Sequence, residues 1–88
     1  MVEEQGKKNH SEAGSKRLRQ RIAKRVRHLR KSNDLTQQEL ADRAEIDRTY
    51  LARLETQALN VSIDVLYRLA SSLDVEVTDL AAQEQPGE

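Results

Sequence analysis

The chain has 88 residues, which leaves room for one modest domain whose stability is marginal unless a partner adds buried surface. Hydrophobic residues make up 36% and charged residues 34%, with no Trp, no Phe, two Tyr, one Pro and three Gly, so the core must be aliphatic and short strands lack the turn residues they need. The formal net charge is +0 and there is no Cys, which excludes disulfides and thiolate metal sites.

That neutral total conceals a division along the chain. Residues 1–33 hold 11 Lys and Arg against three Glu, whereas residues 34–88 hold four against 12 acids. A basic arm or face of this kind suits phosphates, and equally a solvated helix paired with acidic neighbours. Residues 1–15 are polar and without apolar period, and are expected to form a disordered tail. No apolar stretch follows the early basic residues, so no signal peptide is read there, and no apolar run is long enough to span a bilayer. A soluble, cytoplasmic protein is expected.

From Lys16 the pattern changes. Leu18, Ile22, Val26 and Leu29 recur at spacings of four, four and three, which predicts a first helix over about 16–31 with these residues facing the core. Its other side carries Arg17, Arg19, Arg21, Lys24, Arg25, Arg27 and Lys31, and Ser32, Asn33 and Asp34 provide a turn. Thr36 and Glu39 form a capping-box pattern that starts a second helix at Gln37, running to about Arg43. The helical period breaks over Ala44, Glu45 and Ile46 before Asp47 offers another N-cap, so a third helix is predicted over about 48–55. After a polar stretch from Thr56 to Asn60, Ser62 caps a fourth helix over about 63–73, with Ile63, Leu66, Leu69, Ala70 and Leu73 as its buried stripe. A short last helix, from about Val77 to Ala82, uses Leu80 to close the bundle. The domain is thus expected to be all-α, a compact five-helix bundle over 16–83, with residues 84–88 as a second disordered tail.

Two short helices about three residues apart make a helix-turn-helix, in which the first helix braces and the second enters the major groove of DNA. Leu40 and Ala41 must then face inward, with Ala41 small because the helices cross closely there, while Ile46 and Leu51 fill the angle between them. The outward residues of the third helix are thereby held fixed.

The stretch LTQQELADRAEIDRTYLARLE, continuing to SIDVLYRLASSLDVEVTDL, resembles the phage repressor and Cro (XRE) family of helix-turn-helix transcriptional regulators, over residues 22–80. Within it, DRTY at 47–50 and NVSI at 60–63 are most similar to the controller proteins of restriction-modification systems. The resemblance implies a lambda repressor-like DNA-binding domain in which Arg48, Thr49 and Arg53, with Tyr50 beside them, contact base edges. Their chemistry suits the role, since Arg donates twice to guanine O6 and N7 and a Thr methyl or Tyr ring packs on a thymine methyl. It also implies phosphate contacts from Gln37 and Gln38 at the start of the second helix and from Asn60 and Ser62 before the fourth. Arg30 and Glu55 match a structural ion pair of the family. Two departures stand out, for family members often carry Gly where this chain has Glu45 and Gln57. A left-handed conformation at either would store strain of about 1 kcal/mol or more.

Two such domains related by a twofold axis would read half-sites about 34 Å apart, so a homodimer on an inverted-repeat operator is expected. Val75, Val77 and Leu80 are the candidate dimer interface, with closure of the chain's own core as the alternative. The leading reading is a regulator of transcription that occupies double-stranded DNA. An autoregulatory antitoxin and a helical interaction module without DNA binding are the alternatives. No cofactor or small-molecule ligand is evident. His10 and His28 lack spaced partner ligands, so no metal site is expected, and no nucleophile with its base, paired carboxylates or phosphate-binding Gly loop points to an enzyme.

Overall fold

The computed structural model describes residues 12–83, which form five helices: α1 (Glu12–Ser32), α2 (Gln37–Ala44), α3 (Arg48–Gln57), α4 (Ile63–Ser72) and α5 (Val77–Ala81). The all-α expectation holds and each predicted helix is present. One core joins them. Val26 of α1, Leu40 and Ala41 of α2, Leu51 and Leu54 of α3, Leu69 of α4 and Leu80 of α5 are all enclosed in it. The longest helix, α1, packs on both α3 and α5, while α2 packs on α3 and α4.

The start of α1 lies before Lys16, so residues 12–15, expected in the tail, are helical. Glu12 suits the positive end of the helix dipole, and Arg19 Nη1 donates to Ser15 Oγ at 2.7 Å. The expectations for residues 1–11 and 84–88 fall outside the described residues. Leu18 was expected in the core and is instead 41% exposed. The reason is the length of its partner: α5 ends at Ala81, whose carbonyl meets Arg21, so Leu18 lies beyond the covered part of α1.

Ile63 also departs from expectation, at 72% exposed. The observed stripe on α4 is Leu66, Leu69, Ala70 and Leu73, and at about 100° per residue its centre extends back to Ser62, leaving Ile63 at the edge. A third correction concerns the last helix. Leu80 is fully buried in this chain's own core and has no surface to offer a second copy, whereas Val75 and Val77 are only partly buried against that core.

Three helix ends share one device. After α1, α2 and α4 the chain turns through a left-handed residue, Asp34 (φ 57°), Glu45 (φ 58°) and Asp74 (φ 59°). The next amide bonds back to the last turn: Leu35 to Arg30 at 3.1 Å, Ile46 to Ala41 at 3.0 Å and Val75 to Ala70 at 2.9 Å. In each case that next residue is apolar and packs on the core, which is the Schellman pattern with its hydrophobic contact. The left-handed residue after α3 is Ala58 (φ 52°), not Gln57, which remains the last residue of the helix.

Candidate nucleic-acid interface

Helix α2 begins as its sequence demands. The Thr36 hydroxyl accepts from the Glu39 amide at 3.0 Å and the Glu39 carboxylate accepts from the Thr36 amide at 2.8 Å. The bond from the Thr36 amide, and after it the Thr36 side chain, hold the Glu39 carboxyl below its ordinary value. Three residues separate α2 from α3, and Asp47 opens α3 by accepting from the amides of Thr49 at 2.9 Å and Tyr50 at 3.3 Å.

The inner side of α3 is fixed by packing and by a buried polar network. Leu51 and Leu54 are enclosed in the core. Glu55, also buried, accepts from Arg30 Nε at 2.7 Å and from Arg30 Nη2 at 3.0 Å, a bidentate pair across α1 and α3. Arg30 Nη1 donates onward to the Leu35 carbonyl at 2.8 Å, and Gln37 Nε2 donates to Glu55 Oε1 at 3.0 Å. The end of α1, the following loop, the start of α2 and the last turns of α3 thus meet at one ion pair. Arg30 and Glu55, expected as an ion pair, are brought together there.

The outer side of α3 is open. Arg48, Thr49 and Arg53 are exposed and Tyr50 is half-buried against the core. Among the described residues the one ion pair is Arg30–Glu55, so neither Arg48 nor Arg53 has a carboxylate partner there. Ala52 lies between them, partly exposed, and sequence reasoning missed it because an alanine carries no functional group. Its small side chain lets this face come close to a flat or grooved partner.

The residues expected at phosphates are placed less uniformly. Gln37 is half-buried with its side-chain amide committed to Glu55, a bond no local pattern announces because the partner is 18 positions away. Gln38 is exposed and donates to Asp42 Oδ1 at 2.9 Å. Asn60 is exposed, and Ser62 caps α4 by accepting from the Val65 amide at 3.1 Å, which leaves its own hydroxyl proton to donate elsewhere. Among the described residues no group of three potential ligands could hold a metal ion, and no helix is long and apolar enough to cross a membrane.

A family model described as helix-turn-helix matches residues 26–80. The chain is similar to the immunity repressor protein of Bacillus phage phi105, at 33% identity over 63 residues, covering 72% of this chain. That match covers 44% of the repressor, so the chain spans less than half the length of this relative. Among solved structures it is similar to the restriction-modification controller protein C.AhdI from Aeromonas hydrophila, with a TM-score of 0.67 and 34% identity over 70% of this chain and 94% of that one. It is also similar to SinR, the master regulator for biofilm formation, solved in complex with DNA: TM-score 0.64, 33% identity, 67% of this chain and 95% of that one.

Proposed function

The chain belongs to the helix-turn-helix family, and from that premise we propose that it is a regulator of transcription that binds an inverted-repeat operator as a homodimer, with α3 in the major groove. The observation that carries this reading is the two-sided construction of α3. Its inner side is fixed by the core and by the Arg30–Glu55–Gln37 network, and its outer side presents Arg48, Thr49 and Arg53 to solvent. A side chain that reads bases must be held to a geometry, and a cation that reads guanine must be free of other partners. The likeness to a repressor, to a controller protein and to a regulator solved on DNA supports the same reading.

In this arrangement Arg48 and Arg53 donate to guanine edges, Thr49 and Tyr50 pack on thymine methyls, and Gln38, Asn60 and Ser62 meet phosphates. Gln37 contributes its backbone amide at the positive end of α2, its side chain being held by Glu55. The second copy is expected to cover apolar surface that one chain leaves in water. Ile63 and Tyr67, one turn apart on α4 and 72% and 64% exposed, join Val75 and Val77 as that surface. The protein would act where the DNA is, in the cytoplasm.

Selection of binding sites from random duplexes, followed by titration of the selected site, tests the proposal. Arg48→Ala and Arg53→Ala are each expected to cost about 1–3 kcal/mol and to relax preference at one position of each half-site. Unchanged affinity in both folded variants would sink the placement of α3.

A further inference from the structure

A second concentration of positive charge lies on α1, around a groove that no residue of α3 lines. Arg17, Arg21 and Arg25 recur every fourth residue, and Lys24 stands within one turn of Arg21. With the chain that follows α5 they line an open groove of about 500 Å³. Like charges at this spacing on a helix repel one another, a cost that interleaved carboxylates usually relieve. From Lys16 to Asn33 there is no acidic residue at all.

The two inner arginines are nonetheless held in place. Arg21 Nη1 donates to the Ala81 carbonyl at 3.0 Å and Arg25 Nε donates to the Asp79 carbonyl at 3.1 Å, both partly buried. A carbonyl is neutral, and among the described residues neither arginine has a carboxylate partner, with further N–H donors of each guanidinium still to be used. Positioned cations around a concave space are what oxyanion recognition requires. The volume and the four cations exceed what a single phosphate would occupy or neutralise. Arg27 and Lys31, also on α1, are exposed and are not among the residues that line this groove.

We propose that the groove between α1 and the end of α5 binds a small polyphosphate anion. Such an anion would neutralise the repulsion along α1 and bridge that helix to the end of α5, a site separate from the face that meets DNA.

The full chain titrated with tripolyphosphate, with inorganic phosphate at matched ionic strength and a duplex lacking the operator in parallel, provides the test. Tripolyphosphate is expected to raise the melting temperature saturably and to shift amide resonances of α1 and α5, while inorganic phosphate does neither. The combined Arg17→Gln and Lys24→Gln variant, at two exposed positions that make no described hydrogen bond, is expected to weaken tripolyphosphate binding by about tenfold. No saturable response to tripolyphosphate, or an equal response in the variant, overturns the proposal. It is also overturned if the variant loses affinity for the duplex alone, which would make the groove a contact for the DNA backbone. Operator recognition by Arg48 and Arg53 is measured separately and stands or falls by itself.

Discussion

Glu55 is the residue on which the geometry of α3 turns. Its carboxylate is buried and accepts three hydrogen bonds, two from Arg30 and one from Gln37. Removing one charge from such a pair strands the other in a low-dielectric interior. Arg30→Met is therefore expected to cost about 3–5 kcal/mol, a large share of what a domain of this size has. The combined Arg30→Met and Glu55→Leu variant, which leaves no stranded charge, is expected to recover much of that loss. Urea unfolding of both variants checks the pair, and a double variant no better than the single would refute this account. The same residue scale explains two departures from the family pattern. Glu45 adopts a left-handed conformation that favours glycine, whereas at the other departure Gln57 stays helical and its neighbour Ala58 takes the left-handed conformation. Ala58→Gly is expected to stabilise the domain by about 1 kcal/mol, a rise of about 4–8 °C in Tm, and a fall in Tm would show that Ala58 bears no strain.

At the scale of the element, each helix was legible because its signals are local. The capping box at Thr36 and Glu39, the N-caps Asp47 and Ser62, and the apolar period of α1 and α4 all act within a turn or two. What was not legible depended on partners distant in sequence. Leu18 has the right period but no helix above it among the described residues, Ile63 sits at the edge of its stripe, and Gln37 finds a carboxylate on another helix. The outer face of α3 was legible because the inner one was. Once Leu51 and Leu54 are assigned to the core, helical geometry sends Thr49 and Arg53 outward. The capping box also makes the stability of α2 depend on pH. The Glu39 carboxyl is held below its ordinary 4.5 by the Thr36 bonds, so its folded state binds the proton less readily than the unfolded chain does. Its contribution is therefore complete above the ordinary carboxylate value and disappears as pH falls through the lowered one. Glu39→Gln is expected to flatten the acid limb of the stability profile, and a limb of unchanged slope in thermal melts between neutral and acid pH would contradict it.

The whole molecule poses a different requirement, because α3 is only 10 residues long and can reach few base pairs. Acidic residues Asp42, Glu45 and Asp47 precede it, so the affinity of one copy rests on a small number of cations. Two copies joined through the apolar surface at Ile63, Tyr67, Val75 and Val77 would add their contacts within one binding event. In a rigid dimer their reading helices are separated by about one turn of DNA, 34–36 Å. In such a dimer the protein would set the half-site spacing. Five base pairs inserted between the half-sites of a selected operator would turn one of them about half a helical turn away and leave a single copy engaged. Affinity is then expected to fall to that of an isolated half-site, and Tyr67→Lys to produce the same fall on the uninterrupted operator by separating the copies. Fluorescence anisotropy with both duplexes measures this, alongside sedimentation of the free protein. Tight binding that survives the insertion would mean that the copies bind independently and that the apolar face of α4 serves another purpose.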